Sequence, residues 1–224
     1  MPEEEIKSLE GDFLVPLETY LSNGVHVGLK YKTKFMKEFI YKTREDKLSV
    51  FDVRKIDERL RIASKFISRY EPEKVLAVSN RIYGRRPIKK FSEYTGCMAI
   101  SDRFVSGTLT NPAIPYYMEP DLLIVTDPSS DKQAIKEASI MGIPVIAVCD
   151  TNARINDIDF IIPANNKGKN SIALIFWILT KEVLRLRGIE DFNVPLEEFI
   201  SKEEPQPYLI KMHEIQKKRR RRRK

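Results

Sequence analysis

Two aspartates stand where a doubly wound α/β enzyme would keep reactive carboxylates. Asp127 closes the apolar run Leu122 to Thr126, and Asp150 follows Val145 to Val148. The carboxyl ends of buried parallel strands are where such domains hold phosphoacceptor or metal-binding groups. Their neighbours argue for a plainer role. Pro128, Ser129 and Ser130 follow the first, Thr151 and Asn152 the second, the setting of aspartates that cap turns or helices. Cys97 and Cys149 lie 52 positions apart among apolar residues. They fit small core side chains in a reducing compartment, and suit neither a disulfide framework nor a metal site. No G-x-G-x-x-G, G-x-x-x-x-G-K-[ST] or G-x-S-x-G string occurs, and the chain has only nine glycines, so a phosphate loop and a nucleophile turn are both missing. No cofactor, metal or small-molecule substrate is expected, and the fold reads as a scaffold rather than an enzyme.

Chemistry of another kind is written in the lysines and arginines. The net charge is +7, yet residues 217–224, Lys-Lys-Arg-Arg-Arg-Arg-Arg-Lys, carry eight of the 39 basic residues and no acid. The rest of the chain holds 31 basic residues against 32 acidic ones, so global basicity belongs to the tail. Charge is also segregated along the body. Residues 1–20 have six acids and one lysine, whereas residues 23–44 carry Lys30, Lys32, Lys34, Lys37, Lys42 and Arg44 against Glu38 alone. Arg81, Arg85, Arg86, Lys89 and Lys90 form a second cluster with no acid among them. Such patches on a near-neutral body suit a localised polyanion contact.

The first patch interleaves Tyr31, Phe35 and Tyr41 with its lysines. Ammonium groups neutralise phosphates and aromatic rings stack on unpaired bases; the competing reading is a solvated loop whose rings return to the core. Asn23 opens this segment. His26, between Val25 and Val27 with a glycine on each outer side, would need further ligands to bind a metal, and His213 stands alone far along the chain. His26 is expected to be structural or RNA-facing, not a base. The second patch follows an apolar run and therefore sits at the carboxyl edge of a sheet, with a charged helix start as the alternative. In the tail, Arg219, Arg220 and Arg221 belong to a run whose phosphate contacts release counterions, giving steep salt dependence without base preference; a nuclear address is the other use of such a run.

The elements that must position these groups are legible in the hydrophobic pattern. Apolar runs at Val75 to Ser79, Met98 to Ser101, Leu122 to Thr126, Val145 to Val148 and Phe160 to Ile162 read as strands buried on both faces. Pro87 to Tyr94 and Gln133 to Met141 read as crossover helices, the alternation of a parallel sheet covered by helices. Ile56, Leu60, Ala63 and Ile67 recur at helical spacing, predicting an amphipathic helix over 55–70 with Asp52 or Asp57 near its start. Phe39 to Thr43 and Leu48 to Phe51 flank a charged turn and could pair as a hairpin. Ser171 to Arg187 reads as a long helix stopped by Gly188. Its dense apolar run, Ile172 to Leu179, is far short of the roughly 20 residues of a bilayer span. The acidic N-terminus lacks the pattern of a secretory signal, so a cytoplasmic location without membrane contact is expected. Beyond Gly188, acid and proline predict an extended or weakly ordered surface segment.

Several strings, taken in order, resemble the universal small-subunit ribosomal protein family usually called S-two. They are Gly24-Val25-His26-Val27-Gly28, Asp52-Val53-Arg54-Lys55, Gly107-Thr108-Leu109-Thr110-Asn111, Glu119 to Pro128, Glu137-Ala138 leading to Ile143 to Ala147, Asp150-Thr151-Asn152, Ile158-Asp159 with Ile162-Pro163, and Asn165-Asn166-Lys167 with Ser171-Ile172. They span about Leu14 to Gly188. No long helical hairpin of the bacterial kind interrupts the first half and no long eukaryotic C-terminal extension follows, so the type looks archaeal. Ser106 stands where the archaeal pattern often has proline, and the Arg-rich tail is not a family hallmark.

The resemblance implies an α/β fold, a flavodoxin-like (Rossmann-like) parallel sheet flanked by helices, with an N-terminal extension and a basic C-terminal tail. Residues 1–188 are expected to form one domain, with about 1–54 peripheral and 55–188 the sheet-and-helix core. An acidic, proline-containing segment (189–216) and the Arg/Lys tail (217–224) follow. The implied function is that of a structural constituent of the small ribosomal subunit near its head and body junction, in the cytoplasm. The implied partners are small-subunit ribosomal RNA, with Lys167 among the contacts, and neighbouring small-subunit ribosomal proteins.

Overall fold

A computed structural model of the chain describes residues 13–189 and 191–202. The Arg219, Arg220 and Arg221 run, His213 and the acids of residues 1–12 lie outside the described residues.

A five-stranded parallel sheet organises the molecule: β3 (Val75–Val78), β4 (Met98–Ile100), β5 (Leu122–Val125), β6 (Val145–Cys149) and β7 (Phe160–Pro163). Their order is β4-β3-β5-β6-β7, with every pair parallel. This is the flavodoxin-like order, with its switch point between β3 and β5. β3, β5 and β6 are buried at every residue, whereas β4 and the start of β7 are half-buried. The continuous apolar runs are therefore central strands covered on both faces.

Four helices belong to this frame: α2 (Val53–Ser68), α3 (Ile82–Thr95), α4 (Lys132–Met141) and α5 (Lys169–Leu186). α5 packs on both α2 and α3, so these three form one layer. Right-handed crossovers from β3 to β4 and from β5 to β6 run in opposite directions across the sheet, which puts α3 and α4 on opposite faces. Asp52 begins α2, accepting from the Arg54 N–H at 3.0 Å. α3 starts five residues before Pro87, where proline alone would have set the start. Gly84 lets this early turn press on the sheet, since a Cβ there would run into the Ser79 side chain and meet Thr126 Oγ1 at 3.3 Å.

The segment before the sheet contributes α1 (Leu17–Ser22) and a hairpin of β1 (Ile40–Thr43) with β2 (Ser49–Phe51). Far from peripheral, it supplies Tyr20, Val25, Met36, Phe39 and Phe51 to the core. The Arg59 guanidinium of α2 lies 5.2 Å from the Phe39 ring and 5.0 Å from the Phe160 ring, tying the hairpin to β7. After Gly188 the described part of the acidic segment, 191–202, packs rather than drifting. Phe199 is buried, Phe192 and Phe199 stack around Tyr94, and the Trp177 indole donates to Val194 O at 2.8 Å. The acids masked these aromatic anchors in the sequence. Both cysteines are free and buried. Among the described residues no helix is long and apolar enough to cross a membrane.

Asp57 joins the N-terminal segment to α2. Buried at 3% exposure, its carboxylate accepts from Leu14 N–H and the Tyr20 hydroxyl, both at 2.8 Å, and from Arg61 Nε at 2.7 Å. Burial first, and then the Asp57 charge, push the Tyr20 hydroxyl far above its ordinary pKa. Replacing Asp57 by alanine strands two buried donors. The expected loss is ~3 kcal/mol, a fall in Tm of roughly 6–12 °C for a chain of this size. Thermal melts of Asp57→Ala against the unaltered protein check it, and a fall under about 2 °C would refute the role.

Candidate nucleic-acid interface

The carboxyl edge of the sheet is where an open α/β domain would bind a ligand, and here side chains fill it. Ser79 Oγ and Thr126 Oγ1 are 2.7 Å apart across the β3/β5 switch point. Asp131 sits above them, accepting from Asn80 N–H at 2.8 Å and from Asp127 N–H at 3.2 Å, with Thr126 Oγ1 at 3.3 Å. Asp127 is bound by Arg81 at 2.6 Å, by Ser129 N–H at 3.1 Å, by Ser130 Oγ at 2.8 Å and by Asn166 Nδ2 at 3.2 Å. Burial would raise the Asp127 carboxyl, but Arg81 and the two serines hold it below the usual carboxylate range. Asp150 accepts from Thr151 N–H at 2.6 Å and pairs with Lys167 at 3.2 Å. Both strand-end aspartates thus organise turns, and neither faces an open site. Among the described residues no group of three or more His, Cys, Asp or Glu could hold a metal ion.

Beyond this plug, residues 24–33 cross the ends of β7 and β6. The carboxamide of Asn165 donates to Gly24 O at 3.1 Å and its backbone N–H to Val25 O at 2.9 Å. The Thr151 hydroxyl accepts from Leu29 N–H at 3.0 Å and donates to Tyr31 O at 2.9 Å, while Thr33 N–H donates to Thr151 O at 2.9 Å. Gly28 is required by this close approach: a Cβ there would run into the Thr151 methyl and lie 3.0 Å from Ser49 O. The backbone from Gly24 to Thr33 is fixed on the sheet, with Val25 buried in the core and Lys30, Tyr31 and Lys32 exposed.

The rings do not return to the core. Tyr31 is 81% exposed, Phe35 64% and Tyr41 59%, an uncommon concentration of uncovered aromatic surface. Lys30, Lys32, Lys34, Lys37 and Lys42 are exposed beside them. The segment keeps its shape because Met36 and Phe39, in a 3₁₀ turn over Phe35–Phe39, are buried while Phe35, Lys37 and Glu38 face outward.

The other residues singled out in the sequence have different surroundings. Asn23 ends α1, its carboxamide donating to Thr19 O at 2.8 Å. His26 is half-buried, and burial lowers its pKa despite a backbone hydrogen bond at Tyr20; a neutral imidazole offers no charge to a phosphate. Arg44 is exposed and pairs with Asp46 at 3.5 Å. Of the second cluster, Arg81 binds Asp127, Arg85 binds Asp102 at 3.1 Å, Arg86 donates to Glu198 O at 2.6 Å and Lys90 binds Glu93 at 2.9 Å. Lys89 is the exposed member. This cluster mainly joins the fold to itself, whereas the lysines from Lys30 to Lys42 are exposed beside the rings. Sequence reasoning did not find Thr151 and Asn165 as supports, because nothing local signals a hydroxyl bonded to residues more than a hundred positions away.

Comparison with known proteins agrees with this architecture. The family described as "Ribosomal protein S2" matches residues 20–114 and 115–185. The chain is similar to the small ribosomal subunit protein uS2 of Staphylothermus marinus, 54% identical over 80% of this chain and 81% of that one. It is also similar to the uS2 proteins of Thermofilum pendens, 52% identical over 88% and 94% of the two chains, and Saccharolobus solfataricus, 50% identical over 88% of each.

The plug itself should titrate. Burial raises the Asp131 carboxyl from 3.8 to about 6. Between those values the folded protein holds a proton that the unfolded chain has released, so this site's contribution to stability falls as pH rises through the window. Asp131→Asn removes the titration and leaves a pH-independent offset. Urea unfolding at pH 4 and pH 6.5 should show the variant gaining on the unaltered protein by on the order of 2–3 kcal/mol across that interval. A constant gap would refute the raised pKa.

Proposed function

The chain belongs to the ribosomal protein S2 family, and from that premise we propose that it is an archaeal-type structural constituent of the small ribosomal subunit that grips ribosomal RNA through residues 30–42. The observation that carries the proposal is the run of exposed lysines around Tyr31, Phe35 and Tyr41 on a backbone held at Leu29 to Thr33 by Thr151 and beyond it by buried Met36 and Phe39. A flexible basic loop would lose entropy on binding; a segment already fixed loses less. Lysine ammonium groups meet phosphates, and the rings offer stacking faces to bases splayed from a loop or bulge. The family's role is structural, and the filled carboxyl edge agrees with it: the crevice where a substrate would sit holds the side chains of Ser79, Thr126, Asp127 and Asp131. Its partners are the ribosomal RNA and proteins of the particle, and its place is the cytoplasmic ribosome.

Within the segment the charges and rings make separable contributions. Changing Lys30, Lys32, Lys34 and Lys37 together to alanine should weaken binding to a small-subunit RNA fragment at least tenfold. It should also reduce the slope of log K against log salt by up to about 0.7–0.9 per lost phosphate contact. Tyr31→Ala with Phe35→Ala should cost about 1–3 kcal/mol per stacked base and leave that slope unchanged. Because these side chains are exposed, both variants should melt with the unaltered protein. Filter binding across a salt series measures both effects, and wild-type affinity in both variants would refute the assignment. Removing residues 217–224 should leave most specific binding in place; its abolition would move the RNA contact to the tail.

A further inference from the structure

The amino edge of the same sheet has an opposite character. Two open grooves of about 360 and 480 Å³ lie side by side there, sharing Gly142, Ile143 and Pro144 in the turn between α4 and β6. Together they have room for several side chains of an extended segment. Their titratable lining is Glu119, Asp121, Asp157 and Asp159 against Lys74 alone, and the Lys74 ammonium already donates to Glu119 O at 3.2 Å. α4 ends at this place with no basic residue in its last turn, so the negative end of its dipole is uncompensated and adds to the carboxylates. Its final two side chains are apolar and uncovered: Ile140 is 66% exposed and Met141 45%. Helix ends facing only solvent are ordinarily polar and favour cations.

We infer that this edge docks an extended lysine- and arginine-rich segment of a neighbouring ribosomal protein, its aliphatic side chains packing on Ile140 and Met141 and its cations meeting the acidic rim. This rests on the ribosomal reading above. In such a particle the available partners are RNA and protein, and four carboxylates beside the uncovered Ile140 and Met141 repel phosphates while attracting a basic peptide. A second copy of this chain fits badly, because a two-fold contact would set the same acids against each other. The commitment is to a protein of complementary charge.

Two measurements on the full-length chain test it. The first places p-benzoylphenylalanine at Ile140 and irradiates small subunits isolated from the expressing cells. The expected adduct is to a ribosomal protein, mapping to a stretch dense in lysine and arginine. An adduct to ribosomal RNA, an adduct to residues 217–224 of the same chain, or no adduct from a variant present at wild-type occupancy overturns the docking face and leaves the ribosomal reading standing. Absence of the unaltered chain from small subunits overturns both. The second measurement follows a fluorescent fourteen-residue peptide alternating Lys or Arg with Leu or Val, by anisotropy. Both Glu119→Gln/Asp121→Asn/Asp157→Asn and Ile140→Ser/Met141→Ser should bind it at least tenfold more weakly than the unaltered protein. Unchanged affinity in either variant overturns the inference, including where the crosslinking variant fails to enter particles.

Discussion

One threonine holds residues 29–33 to the end of the sheet. The hydroxyl of Thr151, the second residue after β6, accepts a hydrogen bond from Leu29 N–H and donates one to Tyr31 O, while its carbonyl accepts from Thr33 N–H. A segment crossing the end of a sheet must satisfy its peptide groups somewhere, since buried donors and acceptors left unpaired cost of the order of a hydrogen bond each. Thr151 and, at the end of the adjacent strand, Asn165 meet that demand from the sheet side. With inward backbone groups satisfied, the alternate side chains are free to project. Lys30, Tyr31 and Lys32 are thus displayed by hydrogen bonds their own sequence does not contain, and the rest of the segment by buried Met36 and Phe39.

The same economy of polar groups explains why the fold is not used as an enzyme. In a doubly wound domain the β3/β5 switch point is left open because strand-end groups are reserved for a ligand. Here Asp131 accepts two backbone donors, Asp127 is bonded by an arginine, two serines and an asparagine, and Gly84 draws α3 against Ser79. Such a network stiffens the edge on which residues 24–33 lie, since each member fixes the rotamer of the next. Glu137 works similarly on the opposite helix layer: its carboxylate receives Gly107 N–H at 2.8 Å and Leu109 N–H at 3.0 Å, which orders the long connection from β4 to β5.

Much of this was legible in the chain. The three central strands are visible as apolar runs because burial on both faces removes the polar alternation, the half-buried edge strands keep apolar residues as well, and the α2 stripe of Ile56, Leu60, Ala63 and Ile67 is buried throughout. What escaped was long-range or composite. The start of α3 was hidden by Pro87, whose preference for a first turn outweighs weak helix formers upstream until Gly84 packs on the sheet. The post-Gly188 segment looked loose because its acids outnumber its aromatics, yet Phe192 and Phe199 find Tyr94. The Arg81 to Lys90 cluster carries the same formal signal as Lys30 to Lys42, but its charges meet Asp127, Asp102, Glu198 and Glu93 across the fold. Charge density along a sequence cannot separate cations with internal partners from those without.

That separation gives the molecule its polarity. Exposed ammonium groups from Lys30 to Lys42 stand at one end of the sheet, and carboxylates with uncovered Ile140 and Met141 at the other. Each exposed ring or aliphatic side chain forgoes roughly 1.5–3 kcal/mol that burial would contribute, and no folding requirement explains leaving Tyr31, Phe35, Tyr41, Ile140 and Met141 outside while Tyr20, Phe51 and Phe176 are fully enclosed. Apolar surface kept out of the core on rigid supports, beside charge of one sign, is the mark of a contact surface. On the proposed function and the inference drawn from it, the sign of the neighbouring charge selects the cover: phosphates at the lysine end, and basic protein at the acidic end.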